Sequence, residues 1–190
     1  MKKETTLDLT YKFLIALPAM GDHRFERSVI FMCHHDQKGA MGLIINKTKG
    51  DLTLSEMLPT IGIDGAVSVA NSKVLDGGPV DIDRGFVLHS DDISRTPNAL
   101  PLKHGLCLSS TKDALEALVS KNAPSKALLA IGYAGWGGGQ IEREIQDNAW
   151  IIAESDPDII FNEEHDAKWE QAIRSLGIDP SHLSASGGRA

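Results

Sequence analysis

The stretch "KALLAIGYAGWGGGQIEREI" (126–145) joins an apolar run to a group of glycines and then to a charged segment. The run "KALLAIGYAG" (126–135) predicts the clearest buried strand of the chain. The segment "QIEREIQDN" after the glycines predicts a brief helix. This order of strand, glycines and helix indicates a sheet of buried strands with helices packed against it.

Two roles are open for the glycines of this stretch. A strand, glycines and a helix N-terminus together form the arrangement in which free backbone N–H groups bind a phosphate. The stretch has neither G-K-[ST] nor G-x-G-x-x-G, and Glu142 and Glu144 in the first helical turns repel an anion. We therefore expect close backbone packing here, with Trp136 as an anchor inside the fold or at an interface.

Other apolar runs predict further strands and helices. Residues 28–47 predict a β-hairpin around the polar connection "DQKG". Additional strands are predicted at "FLIAL" (13–17), around Val74, at "GFVLH" after an acidic loop, at "GLCLSS", at "AWIIAE" and, as a short extended piece, at "PDIIF".

Three segments carry helical spacing in addition to the one after the glycines. "LTLSEMLPTIGI" predicts a short helix capped by Thr53 or Ser55 and shortened by Pro59, and "DALEALVSKN" predicts a helix capped from the segment 110–113. "HDAKWEQAIRSLG" predicts a final helix that ends at Gly177. Its apolar side is predicted to carry Trp169, Ala172, Ile173 and Leu176.

The chain of 190 residues predicts one domain, 1–190, with flexible ends at about 1–8 and 184–190. About seven to nine strands and three or four helices follow one another without βαβ alternation or repeats. The expected fold class is therefore α/β of the α+β type, with a mixed, mostly antiparallel sheet covered by helices.

Charge and hydropathy exclude several function classes. The formal net charge is -7, and no Lys/Arg-rich stretch is present, which disfavours direct nucleic-acid binding. No run approaches ~20 uninterrupted apolar residues and no signal peptide is indicated, so we expect a cytoplasmic protein without a membrane span. Cys33 and Cys107 lie in apolar segments and are expected to be buried thiols.

Three histidines offer a second kind of site. The chain has no H-E-x-x-H, Cys-x-x-Cys or His-x-His pattern, so we expect no metal, no cofactor and no catalytic residues of a known pattern. If a metal or a general base is present, the candidates are His34, His35 and His89, and the function is then that of a histidine-centred, metal-assisted hydrolase. His34 and His35 are adjacent on a strand and therefore point to opposite faces.

The segment "LDGGPVDIDRGFVLHS" (75–90) combines a Gly-Gly-Pro turn, a cation and a titratable ring beside one strand. A structural interpretation is favoured: glycines for a turn, Arg84 paired with Asp81 or Asp83, and His89 at a strand edge. The alternative is a site for a small molecule or a peptide. With the glycine stretch, the predicted binding residues are Gly77, Gly78, Arg84, His89, Trp136 and Gly137.

Four blocks of the chain resemble the YqgE/AlgH family of bacterial proteins. The blocks are "FLIALPAMGDHRFERSVIFMCHHDQKGAMGLIINK" (13–47), "GGPVDIDRGFVLHS" (77–90), "IGYAGWGGGQIEREIQDNAW" (131–150) and "KWEQAIRSLGID" (168–179). The resemblance implies a single-domain α/β protein with a curled, barrel-like sheet flanked by helices. It also implies a link to regulation, through alginate production in a pseudomonad, but it brings no activity and no catalytic residues.

Three functions are therefore compared. The leading hypothesis is a non-catalytic, cytoplasmic binding or regulatory protein that acts on transcription through an unknown protein or small-molecule partner. The alternatives are the histidine-centred hydrolase and a direct DNA-binding regulator, the latter disfavoured by the acidic charge. The ligand, the partner and the oligomeric state are left open.

Overall fold

The computed structural model describes residues 7–18, 20–69, 72–93 and 98–183. Ten strands of these ranges form one curled, mixed sheet in which one pair is parallel and the others are antiparallel. The strands are β1 (Lys12–Ala16), β2 (Val29–Asp36), β3 (Gly39–Ile44), β4 (Thr48–Thr53), β5 (Lys73–Asp76), β6 (Val80–Ser90), β7 (Leu100–Pro101), β8 (Leu106–Ser109), β9 (Ala127–Gly137) and β10 (Trp150–Glu154).

Five short α-helices of the same ranges cover the sheet. They are α1 (Leu54–Thr60), α2 (Lys112–Ala117), α3 (Gln140–Gln146), α4 (Pro157–Ile160) and α5 (Lys168–Arg174), and a 3₁₀ turn (His165–Ala167) leads directly into α5. No helix in the described part of the chain has the length and apolar character needed to cross a membrane. The α+β fold class with a mostly antiparallel, curled sheet is confirmed.

The strand β9 connects the two halves of the sheet. The sheet order is β10-β1-β2-β3-β9-β6-β8-β7, and β4 and β5 branch from it. The glycine-rich end of β9 pairs with β3, its apolar end pairs with β6, and its centre pairs in parallel with β5. A run of 11 residues is long enough to make these pairings in succession.

Close backbone contacts explain several glycines at this junction. Gly132 has a φ of 74°, and a Cβ added there would overlap the carbonyl oxygen of Gly78. A side chain at Gly77 or Gly78 would in turn overlap the backbone of residues 132–134. The Gly-Gly-Pro turn is therefore packed against β9 backbone to backbone, which leaves no room for side chains between them.

The core has three parts that follow from the alternation of side chains along the strands. One part lies between the inner face of the curled sheet and the helices α4 and α5, and it contains Phe13, Phe31 and Trp169. A second part holds Trp136 and Trp150 beneath α3. The third part packs α1 and α2 against side chains of β5, β6 and β9.

Most predicted elements are present. The hairpin at 28–47 is β2 and β3, and Trp169, Ala172 and Ile173 are buried on α5. α1 begins after Thr53, whose N–H donates to the carboxylate of Glu56, and it ends soon after Pro59. The predicted flexible ends are about 1–8 and 184–190, of which residues 1–6 and 184–190 lie outside the described ranges.

Five predictions about local structure are wrong. "PDIIF" is helical rather than extended, because Asp156 caps the segment and Pro157 fits the first helical turn. The predicted acidic loop belongs to β6, where the register shifts between Val80 and Gly85. Leu176 is exposed because α5 ends at Arg174. α2 begins after Thr111, within the predicted segment 110–113, but without a side-chain cap. The described strands and helices also outnumber the prediction.

We expect Gly132→Ala to lower the free energy of unfolding by about 2 kcal/mol or more, because a side chain there is both strained and overlapped by the Gly78 carbonyl. Gly137→Ala, on the same strand with open space around it, should change it by less than about 0.5 kcal/mol. Urea denaturation of both variants tests this. Equal stabilities would contradict the packing role.

Candidate functional site

The predicted binding residues of β6 do not face one cleft. Arg84 is exposed, donates from Nη2 to the Ser110 hydroxyl at 2.8 Å and lies over the ring of Phe86. His89 is 2% exposed, donates from Nδ1 to the Ser90 carbonyl and lies 3.0 Å from the hydroxyl of Ser109. His89 is therefore a buried residue within the sheet rather than an edge residue. The expected pairing of Arg84 with an aspartate is replaced by the serine contact.

The glycine stretch is largely strand. Trp136 and Gly137 are the last residues of β9, and the turn into α3 consists of two glycines, of which Gly139 has a φ of 72°. A Cβ at Gly138 would lie 2.6 Å from the carbonyl oxygen of Gln37, so the turn packs on the β2–β3 hairpin. Close packing is confirmed for Gly138 but not for Gly137, which has open space around it.

Trp136 is an internal anchor, held by the helix that follows it. Its indole N–H donates to Oε2 of Glu144 at 2.9 Å, and the indole of Trp150 donates to the same oxygen at 2.8 Å. The two rings meet edge to face at 6.1 Å. Glu144 is thus occupied by internal hydrogen bonds and joins α3 to two strands.

The two adjacent histidines point apart, as predicted. His35 is buried, lies 3.0 Å from Oε1 of Glu142 through Nε2, and accepts from the Leu9 N–H through Nδ1. His34 is exposed and lies 3.2 Å from Asp36. Neither can share a site with His89 in the interior of the sheet. Among the described residues, no group of three or more His, Cys, Asp or Glu side chains is placed to hold a metal ion.

Some predicted residues do meet at the surface. A broad groove of about 580 Å³, where β3 begins and β9 ends, is lined by His34, Trp136 and Gly137. Gly78 lines a different groove beside Lys47. A binding role for exposed Arg84 and Gly137 stays a prediction.

Cys33 and Cys107 are buried, and burial raises the pKa of the Cys33 thiol to about 12.

A cavity that the sequence did not indicate lies between the start of β9 and the helices α4 and α5. It has a volume of about 300 Å³. Leu128, Ile160 and Phe161 form its apolar wall, and Ser72, His165 and Lys168 supply polar groups. A concave, partly apolar cavity with a few convergent polar groups is the usual form of a small-molecule site.

Lys168 is the unusual residue of this cavity because it is only 1% exposed. Its Nζ donates to the carbonyl oxygens of Ile45 and Ile160, each at 2.8 Å. Ile160 is the last residue of α4, where helical carbonyls lack an intrahelical partner. Burial lowers the pKa of Lys168 from 10.5 to about 7.

Two further polar groups of the cavity lack partners. Five buried side-chain polar atoms in the described ranges have no hydrogen bond, and two of them, Oγ of Ser72 and Nδ1 of His165, line this cavity. Burial and the nearby charge of Lys168 lower the pKa of His165 to about 4, so its ring is neutral at pH 7. Unpartnered buried groups cost about 1–3 kcal/mol each and call for an explanation.

The edge of the cavity carries opposite charges. Lys126 lies 3.5 Å from Asp158, and both side chains are substantially exposed. The ammonium of Lys126 also lies over the ring of Phe161. Glu163 completes the charged edge and is shared with a neighbouring, more open cavity of about 550 Å³. The charges at the edge are therefore hydrated, whereas the amine of Lys168 is not.

The sequence contained one signal for Lys168. Position 168 precedes Ala172 by four residues, so it lies on the apolar side of the predicted final helix. A lysine on an apolar helix face is either buried or extends past the face into water, and the sequence does not distinguish the two. Ser72 and His165 carried no signal: His165 precedes Lys168 by only three residues, but tertiary packing alone brings Ser72 to them and encloses all three in one cavity.

Fold and site together define a class: single-domain α+β proteins with a curled, half-barrel sheet, here with a buried lysine at the start of α5. A family model described as AlgH-like matches residues 13–181, and the chain belongs to this family. The resemblance seen in the four sequence blocks is thereby confirmed.

Relatives and solved structures agree with this assignment. A UPF0301 protein of Ruegeria pomeroyi is 50% identical to this chain, over 97% of this chain and 100% of the relative. A UPF0301 protein of Caulobacter vibrioides is 46% identical, over 94% of this chain and 92% of the relative. The solution structure of the AlgH protein from Pseudomonas aeruginosa aligns with this chain over the full length of both, with 39% identity and a TM-score of 0.76. A Corynebacterium diphtheriae crystal structure at 22% identity has a TM-score of 0.72 over 88% of this chain and 87% of its own, and shows the fold alone. None of these names states an activity.

We expect Glu144→Ala to lower the free energy of unfolding by about 2 kcal/mol or more, because it leaves two buried indole N–H groups without an acceptor. In NMR spectra the indole signals of Trp136 and Trp150 should shift, whereas that of Trp169, which donates to the Ala16 carbonyl, should not. Arg143→Ala on the exposed side of α3 is the control. An unchanged pair of indole signals would disprove the shared acceptor.

Lys168→Met tests whether the amine is desolvated, through the pH dependence of the free energy of unfolding. Since the pKa of Lys168 is about 7 when folded and returns to about 10.5 when unfolded, the unfolded chain binds the extra proton between these values. Stability conferred by residue 168 therefore rises with pH in this window. Relative to Lys168→Met, the wild-type free energy of unfolding should gain up to about 1.4 kcal/mol per pH unit from pH 7 to 10.5.

The matched control for this measurement is Ile173→Val, a buried change on α5 without a titrating group. It should cost about 0.5–1.5 kcal/mol at every pH. Denaturant titrations from pH 7 to 10.5 give the free energy of unfolding of each protein. Subtracting the value of the variant from that of the wild type at each pH cancels the contributions of the other titrating groups. A wild-type advantage that stays constant from pH 7 to 10.5 would show that the amine is not desolvated.

Proposed function

We propose that this protein is a non-catalytic binding protein whose ligand site is the Lys168 cavity. The observation that supports this most directly is a buried amine placed beside two unpartnered polar atoms, Oγ of Ser72 and Nδ1 of His165, in one cavity. A protein interior retains such groups where a ligand or ordered water completes their hydrogen bonds.

The size and charge of the cavity favour a small molecule as the bound species. A volume of about 300 Å³ is at the small end of ligand sites. The net charge of -7 disfavours a nucleic acid. The scattered positions of His34, His35 and His89 do not support a histidine-centred hydrolase.

The proposed role is regulatory and cytoplasmic, with the ligand acting through a protein partner. Lys168, at the start of α5, donates to the carbonyl of Ile160 at the end of α4 and to that of Ile45 just after β3. A ligand that binds Lys168 would therefore affect how α5 packs against α4 and the end of β3. A protein partner would detect the bound ligand at the outer surfaces of these three elements. The family's association with regulation is consistent with this role.

A small-molecule library screened by thermal shift tests the proposed site with two tryptophan variants. Ser125 is exposed at the mouth of the cavity, and Ser125→Trp should obstruct it. Lys121→Trp places the same side chain on a nearby exposed position outside the cavity lining. Compounds that bind the cavity should stabilise the wild type and Lys121→Trp, by about 2.7 kcal/mol at 100 times Kd, but not Ser125→Trp.

Three other results would contradict the proposal. Compounds that stabilise all three proteins to the same extent bind elsewhere, and a library without any stabilising compound argues against a ligand site in this cavity. Turnover of library compounds that is lost in Ser125→Trp would show an enzyme at the same place and would disprove the non-catalytic assignment.

A further inference from the structure

The buried lysine has no counter-charge. The ammonium of Lys168 has three N–H donors, and two of them reach the carbonyls of Ile45 and Ile160. Among the described residues, no carboxylate forms an ion pair with it and no acceptor takes its third N–H. A buried charge without a partner is costly, so an anion bound in the cavity would be stabilised strongly by this ammonium.

The neighbouring polar groups also suit an acceptor ligand. Ser72 offers a hydroxyl without a partner, and a neutral His165 can carry a hydrogen on its unpartnered Nδ1. With the third N–H of Lys168 these are three available donors in one cavity. Carboxylate oxygens each accept more than one hydrogen bond, which matches such a set of donors.

The rest of the wall limits the size and character of the anion. Leu128, Ile160 and Phe161 form an apolar surface beside the donors, which favours an organic body over an inorganic ion. The carboxylates of Asp158 and Glu163 at the edge disfavour a second negative charge on the ligand, although Lys126 offsets that of Asp158. A single carboxylate on a small apolar body fits both constraints.

We propose that the cavity binds a small organic monocarboxylate, whose carboxylate accepts the third N–H of Lys168 and whose apolar body contacts Leu128, Ile160 and Phe161. This inference rests on the proposed function and adds the chemical class of the ligand. Lys168 is the residue that selects the anion, because it supplies the only fully buried positive charge found in the described residues.

Binding of this kind is coupled to protonation of Lys168. The titratable groups that line the cavity with its amine are His165 on the preceding turn, Lys126 just before β9, and Asp158 and Glu163 at the edge. Because burial lowers the pKa of Lys168 to about 7, the binding-competent ammonium is lost progressively above that pH. Carboxylate affinity should therefore fall by up to about tenfold per pH unit above pH 7.

The experiment compares three probes with the same phenyl body: benzoate, its neutral isostere benzamide, and the cation benzylamine. Backbone amide shifts in NMR spectra of the wild type at pH 6.5 give the affinity of each and report whether cavity residues such as Leu128 respond. Benzoate should bind at least tenfold more tightly than either other probe. Its affinity should weaken from pH 7 to pH 9, and Ser125→Trp should abolish the shifts.

Lys168→Met should remove the preference for benzoate over benzamide, which replacement of a purely structural lysine would not do. If that variant does not fold, the pH dependence of benzoate binding to the wild type decides the matter alone, with benzamide as the control that should not change. Ser72→Ala gives a second folded variant, in which benzoate binding should weaken severalfold.

The outcomes separate this inference from the proposed function. Benzamide or benzylamine binding in the cavity as tightly as benzoate would overturn the anion preference and leave the ligand site in place. Failure of benzoate to bind also overturns the inference, whereas the site itself falls only if the library screen against Ser125→Trp finds no cavity ligand either. Benzoate binding that is unchanged between pH 7 and 9 would show that Lys168 is not the contact.

Discussion

The structure depends on the backbone contact between β9 and the Gly77–Gly78 turn. β9 pairs with β3, β5 and β6, and the contact at Gly132 allows the turn before β6 to reach the middle of this strand. Side chains at these glycines would separate the two backbones, and the two halves of the sheet would lose their common strand. β9 contributes side chains to all three parts of the core, and its first residues line the cavity.

The buried amine of Lys168 is the main exception to apolar packing in this core. Helix α5 is held to β1 through the indole of Trp169, which donates to the Ala16 carbonyl, and to α4 through Lys168. A methionine of similar length would fill the same space without a desolvation cost, so packing alone does not require a lysine. The carbonyls of Ile45 and Ile160 accept its hydrogens but do not neutralise its charge, which is why the site argues for function as well as for structure.

Local patterns predicted much of the fold and little of the site. The β2–β3 hairpin and the apolar side of α5 follow from periodicity, which is a property of neighbouring residues. "PDIIF" was predicted as extended because a short apolar run suits either state, and the cap at Asp156 decided for a helix. The histidines looked similar in sequence, but His35 and His89 are buried and hydrogen-bonded internally, whereas His34 is exposed. Residues 165 and 168 lie on consecutive turns, but no pattern linked them to residue 72, since that proximity depends on long-range packing.

The sequence by itself determined the family, the fold class and the absence of a familiar phosphate loop, because these depend on residue order, spacing and composition. Only the tertiary structure decided that Trp136 is an internal anchor bound to Glu144, and that Lys168 shares a cavity with Ser72 and His165. The physical reason is desolvation. Whether an amine or a ring is in water or in a protein interior sets its charge, its partners and its pKa, and that environment exists only once distant segments have packed together.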